Sequence, residues 1–277
     1  MQFLKRLFDF YLNSSIHVAL AVCCLTWITL VDFNSGVDLN IIYFIFLATI
    51  SGYNFVKYFG LAKFHHRRLS SWLKYIQVFS FFSFLGLCYF AFKLEVKTML
   101  YFAGLGVVTF LYAIPFLPKK YFLDKSKNLR AISGLKIYVI VFVWSISTVI
   151  IPLLNENHTI DSDVIITTIQ RYFYVFVAML PFEIRDMQFD SLKLSTIPQK
   201  IGLMKTKLIG VLLLILFFLL EFMKNGNTEN KILIVVIISI ITLYFLIFSN
   251  KKNQKYYSSF WVEGIPILWV LLTLFLT

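Results

Sequence analysis

Pro181-Phe-Glu183-Ile-Arg185-Asp186-Met-Gln-Phe-Asp190-Ser-Leu-Lys-Leu-Ser-Thr196-Ile-Pro-Gln-Lys-Ile-Gly202 closes a long apolar run with three carboxylates, in a chain of 277 residues that has only 14 Asp and Glu. If the apolar run continues through this stretch as a helix, Glu183, Asp186 and Asp190 stand at i, i+3 and i+7 and share one face, while Arg185 points away from it. Three acids on one face at a membrane edge repel one another and are costly to desolvate, so the spacing calls for a cation between them. Oxygen-only ligands suit a hard cation, and two carboxylates together with phosphate oxygens are the usual surroundings of Mg²⁺. The alternative is a solvated helix end with acids placed by chance.

Composition sets the frame. Hydrophobic residues make up 59% of the chain, aromatic residues 18% and charged residues 14%, a balance foreign to a soluble domain of this length. Nine apolar segments are long enough to cross a bilayer core, at about 16–32, 39–59, 73–92, 97–117, 135–154, 164–182, 206–223, 231–249 and 258–276. Without water to bond the backbone, such segments must be helices. The expectation is one all-α, multi-pass membrane bundle of nine transmembrane helices over residues 1–277, with residues 1–15 as an amphipathic interfacial lead-in rather than a cleaved signal. Cys23, Cys24 and Cys88 have neither metal nor disulfide spacing and read as packing residues.

The net charge of +12 points to topology, not to nucleic acid. Of the 26 Lys and Arg, 21 fall in the N-terminal tail and the 2–3, 4–5, 6–7 and 8–9 connections, 4 fall in the opposite connections, and Arg171 lies inside a span. That asymmetry puts the N-terminus in the cytoplasm and the C-terminus outside. Arg171 is about two turns from the outer end, within reach of the outer surface by snorkelling. Neither His17 nor the His65-His66 pair makes a zinc pattern.

Glu183 to Asp190, followed by Thr196 to Gly202, resembles the second aspartate-rich motif of the UbiA superfamily of intramembrane prenyltransferases. The first such motif belongs after the second span, and there Asn54 matches its leading Asn, while Phe55, Tyr58 and Ala62 stand at the three aspartate positions. Arg67 matches the basic residue downstream. Tyr112 to Lys120 resembles the family's Tyr-Pro followed by a basic pair, Lys119 and Lys120, and Glu263-Gly264 resembles an acid-Gly pair in the last span. A proline-terminated helix with snorkelling lysines, and a snorkelling acid, are the structural alternatives at these two places.

The resemblance implies a bundle holding a prenyl diphosphate, its tail in an apolar tunnel and its head at the cytoplasmic edge, and transfer of the isoprenoid to a hydrophobic or aromatic acceptor within the lipid bilayer. It implies one Mg²⁺, held by Asp186 and Asp190 with Glu183. Asn54, Lys57, Arg67, Tyr112, Lys119 and Lys120 would surround the diphosphate, with the cations, and Lys63, standing in for the second ion that the absent first motif would carry. Two alternatives go with the same scaffold, a terpene cyclase and a non-catalytic isoprenoid-binding protein.

The charge asymmetry makes a direct prediction: single cysteines placed across Asn155–Asp161 are labelled by an impermeant thiol reagent applied to intact cells. Labelling only after permeabilisation would invert the topology.

Overall fold

The computed structural model describes residues 2–64, 71–113, 135–187, 196–252 and 256–276, and these form helices joined by short turns. In chain order the helices are α1 (Gln2–Asn13), α2 (Ile16–Asp32), α3 (Leu39–Phe64), α4 (Ser71–Ala91), α5 (Val96–Ala113), α6 (Leu135–Asn155), α7 (Ser162–Asp186), α8 (Ile197–Ile201), α9 (Leu203–Glu221), α10 (Glu229–Ile247) and α11 (Tyr257–Leu276). Seven are long and apolar enough to cross a membrane by themselves, α1 and α2 together make an eighth with a 53° bend, and Val96–Tyr112 is a shorter apolar helix. Each of the nine expected segments is therefore helical among the described residues; the first reaches spanning length only together with α1, and the fourth is described as far as Ala113.

Packing closes the bundle. α2 lies against α3 on one side and α11 on the other, and α6, α7, α9, α10 and α11 follow one another around the main core. That core is centred on α7, whose Tyr174, Val175, Val177 and Leu180 pack with Leu214, Phe217, Ile238 and Leu246 of α9 and α10. Gly210 of α9 faces Leu180 and Leu246 so closely that a Cβ there would collide with both side chains. A second, smaller core joins α2 and α3 to the α4–α5 hairpin through Val22, Ile41, Phe44, Ile45 and Leu94, and Phe44 meets Phe102 of α5 with ring centroids 4.7 Å apart.

Two helices change their winding on the way across. α6 widens to a π-helical turn over Ile146–Ile150, ahead of Pro152, and α11 starts with another over Tyr257–Val262, ahead of Pro266. The residue four before each proline, Thr148 or Val262, lies in the widened stretch. A proline there has no N–H for that carbonyl and its ring crowds it, and the wider turn relieves both problems. In α11 the shift shows as an i to i−5 bond, with Glu263 N–H donating to the Ser258 carbonyl at 3.1 Å.

The bend between α1 and α2 is a polar joint under the bundle. Ser15 adopts a left-handed conformation, φ 65°, and is fully buried. Asn54 of α3 holds the joint: its Nδ2 donates to the Ser14 carbonyl at 3.0 Å and to Ser80 Oγ at 2.8 Å, and its Oδ1 accepts from Ser15 Oγ at 2.8 Å. Lys57 Nζ donates to the same Ser15 hydroxyl at 2.8 Å, and Tyr58 donates to the Asn13 carbonyl. From this joint α1 runs across the bundle end, with Phe10 on Phe79 of α4 and Phe8 on Phe260 of α11.

Replacing Asn54 with Ala removes three hydrogen bonds from a buried joint, taking a donor from the Ser14 carbonyl and the acceptor from the Ser15 hydroxyl proton. At about 1–3 kcal/mol per unsatisfied group, the thermal midpoint of the purified protein should drop by several degrees, measured by a thermal-shift assay. An unchanged midpoint would show that the bend is held elsewhere.

Candidate functional site

Glu183 and Asp186 stand one turn apart near the end of α7, as the spacing requires, and a cation does sit between them. It is Lys136, from the first turn of α6, whose Nζ lies 3.6 Å from Glu183 Oε1 and 3.6 Å from Asp186 Oδ2. The glutamate side chain is 2% exposed and the aspartate 23%, so the pair straddles the boundary of the bundle. A buried carboxylate needs such a partner, because the bilayer provides no water in its place.

Arg185 departs from the expectation. It does not turn away from the acids; its Nε and Nη2 both reach Asp186 Oδ1, at 2.9 and 2.8 Å, and its guanidinium lies over the Phe182 ring at 5.4 Å. The long side chain folds along its own helix, so a neighbouring position on the wheel does not keep the charges apart. Asp186 is thus bonded to one cation on each of its two oxygens.

Glu263 joins this end of the bundle from α11. It lines a narrow crevice of about 20 Å³ with Trp144, Tyr174, Met179 and Phe182. The π-helical turn before Pro266 sets where it points, and His17 braces that turn. The His17 Nε2 lies 2.9 Å from the Phe260 carbonyl and its Nδ1 2.6 Å from the Tyr11 hydroxyl. Since a carbonyl only accepts, Nε2 carries a proton and donates to it, and in the neutral tautomer Nδ1 accepts from the Tyr11 hydroxyl. Across the crevice mouth Trp144 Nε1 donates to the Tyr53 hydroxyl at 2.9 Å, and Lys57 Nζ lies 5.8 Å from the Tyr53 ring centroid.

Of the residues expected to hold metal or diphosphate, Glu183, Asp186 and Lys57 are found at one end of the bundle, with Glu263 beside them. Asn54 is at that end too, with its amide bonded within the joint under α2. Tyr112 is buried near the end of α5. Asp190, Arg67, Lys119 and Lys120 lie outside the described residues, as do the Lys63 side chain and the His65-His66 pair. The tail of the motif has a structural role: Thr196 N–H donates to Gln199 Oε1 at 2.9 Å across the single turn of α8, and Gly202 at φ 83° swings the chain into α9.

The sequence reading missed Lys136 and His17. Lys136 is the basic residue at the very start of the fifth span, a signal that existed but looked topogenic. Nothing in the sequence marked His17, whose partners are 6 and 243 positions away.

Two oxygens converging on a point already taken by an ammonium fit a hard cation. Among the described residues no group of three or more His, Cys, Asp or Glu could hold a metal ion, and Asp190 lies outside them.

No protein-family model and no curated protein sequence matches the chain. Solved structures do. One, described as giving structural and mechanistic insights into the biosynthesis of digeranylgeranylglyceryl phosphate synthase in membranes, matches at 15% identity over 98% of this chain and 98% of that one, with a TM-score of 0.58. A UbiA homologue from Archaeoglobus fulgidus matches at 11% identity over 100% of this chain and 99% of that one, with a TM-score of 0.55. The chain therefore shares its fold with these two solved structures, one of them a UbiA homologue.

A Cβ on Gly264 would come within 2.7 Å of the Phe260 carbonyl, the group that also bonds His17. Backbone cannot swing aside as a side chain does, so Gly264→Ala is expected to cost about 1–3 kcal/mol and to lower the thermal midpoint. A variant as stable as the parent would mean that the turn carrying Glu263 is loosely held.

Proposed function

We propose that this UbiA-type bundle is an intramembrane prenyltransferase, which takes a prenyl diphosphate as donor and passes its isoprenoid to a small hydrophobic or aromatic acceptor. The supporting observation is the convergence of Glu183 and Asp186 on one cation position, on the helix whose Tyr174, Met179 and Phe182 line an aromatic crevice with Glu263 on its wall. One Mg²⁺ held by Asp186, Asp190 and Glu183 would neutralise charge on the departing diphosphate.

In this reading the diphosphate lies against Lys57 and Arg185, with Arg67, Tyr112, Lys119 and Lys120 completing its surroundings, and Asn54 keeps the floor beneath it in place. The C–O bond of the donor breaks with its electron pair leaving on the diphosphate. Fixed cations aimed at that charge favour the step in a site from which water is excluded. The allylic cation faces Trp144, Tyr174 and Phe182, whose ring faces stabilise positive charge. The acceptor's nucleophilic atom then forms the new bond, and Glu263 takes up the proton released. Lys136 holds the carboxylates together until the metal and donor arrive.

The test is release of diphosphate from a panel of prenyl diphosphates, with and without Mg²⁺. Asp186→Ala should reduce release by about a hundredfold or more. Lys136→Gln removes the competing ammonium and should lower the Mg²⁺ concentration for half-maximal activity by about tenfold, on the scale of one charge pair at about 4 Å screened by water. Release that ignores Mg²⁺ and survives Asp186→Ala would sink the proposal.

A further inference from the structure

The other end of α7 carries a second polar site. Thr167, Gln170, Arg171 and Tyr174 recur at helical spacing on the inner side of this span and are all buried. Arg171 stands twelve residues before Glu183, about 18 Å along the axis at 1.5 Å per residue, so this cluster is separate from the carboxylate pair. Tyr174, Phe217 and Trp269 pack edge and face between the two ends, with ring centroids 5.3 to 5.9 Å apart.

Arg171 does not snorkel to the surface as its position suggests. It is 3% exposed and turns inward, where Nη1 donates to the Leu25 carbonyl at 2.8 Å and Nη2 to Thr29 Oγ1 at 3.1 Å, both on α2. Its guanidinium also lies 5.7 Å from the Trp269 ring. A guanidinium has five donors, and among the described residues Arg171 forms no ion pair with a carboxylate. Beside it is a cavity of about 150 Å³, lined by Arg171, Lys224, Lys231, Asp32, Glu221 and Thr167 among others.

The two acids of this cavity have partners. Glu221 accepts from Lys224 Nζ and Gln170 Nε2, each at 2.8 Å, and Asp32 faces Lys231 at 3.8 Å. Three cations against two carboxylates leave one positive charge in excess, and the deepest cation is the one with no acid bonded to it. Thr167, 4% exposed, has a hydroxyl on the same cavity with no hydrogen-bond partner. A buried cation with unused donors and a buried hydroxyl with none in use are costly unless an acceptor-rich group completes them. Room for about five waters, at roughly 30 Å³ each, suits a tetrahedral oxyanion and a little of its hydration.

We propose that this cavity is a phosphate-binding site, in which Arg171, Lys231 and Thr167 hold the oxygens of a phosphate group supplied by a lipid headgroup or by free phosphate. Nothing in the transfer reaction requires it, and it is at the end of the bundle away from the donor. Arg171 is held from α2 while Lys231 belongs to α10, so an occupied site ties those helices together at this end.

The measurement uses the full chain, purified in lipid-stripped detergent and carrying Lys57→Gln and Lys136→Gln to weaken anion binding at the other end. Calorimetric titration with inorganic phosphate should show saturable binding, weakened at least tenfold by Arg171→Gln and by Lys231→Gln, and about threefold by Thr167→Val. In parallel, native mass spectrometry of the protein exposed to phosphatidylglycerol should show a retained lipid that Arg171→Gln loses if the headgroup is the source. Phosphate binding without a retained lipid would assign the site to free phosphate. If Arg171→Gln does not fold, the Lys231→Gln and Thr167→Val variants give the same readout. Neither phosphate nor lipid bound, or either bound equally well in the variants, would overturn the proposal.

Discussion

Lys136 between Glu183 and Asp186 shows what governs this protein: a charge inside a membrane bundle is kept only where another helix brings it a partner. The acids are fixed one turn apart by α7, and the cation is supplied across the bundle by α6. Neither helix could carry its charge alone through an apolar medium. The same rule explains Glu221 of α9 with Gln170 of α7, and Arg171 bonded to a carbonyl and a hydroxyl of α2. Polar side chains act as cross-links here, since apolar burial between helices gains little when lipid is as apolar as the core.

α7 is the organising element because it carries the polar groups at both ends. Its last two turns bring the carboxylates to the basic edge of the chain, and its first turns bring Arg171 to the opposite cavity. Between them the Tyr174, Phe217 and Trp269 rings fill the section where no charge could be tolerated. A bundle built this way can bind different chemistry at each end, because about 18 Å of helix and an aromatic layer separate the two.

The irregular segments are as purposeful as the regular ones. Prolines 152 and 266 each follow a widened turn, and the second of these turns aims Glu263 into the crevice. The bend at Ser15 lets α1 cross the bundle end, where Asn54, Lys57 and His17 tie it to α3 and α11. Two residues that resemble substrate ligands by position are therefore also structural members of that floor. Asn54 is bonded on both sides of its amide, which makes it a support for the site more than a contact within it.

Hydropathy by itself determined the class of protein and the helical segments, because a bilayer leaves an apolar run of this length no choice but helix. The i, i+3 spacing likewise determined that Glu183 and Asp186 share a face, since helix geometry is local. Only the tertiary structure decided which cation serves them, that Arg185 folds back onto Asp186, that Arg171 turns inward, and that His17 braces a turn 243 residues away. Those outcomes depend on which helices are neighbours and on how far a flexible side chain can reach, and neither is written in the spacing of residues along one helix.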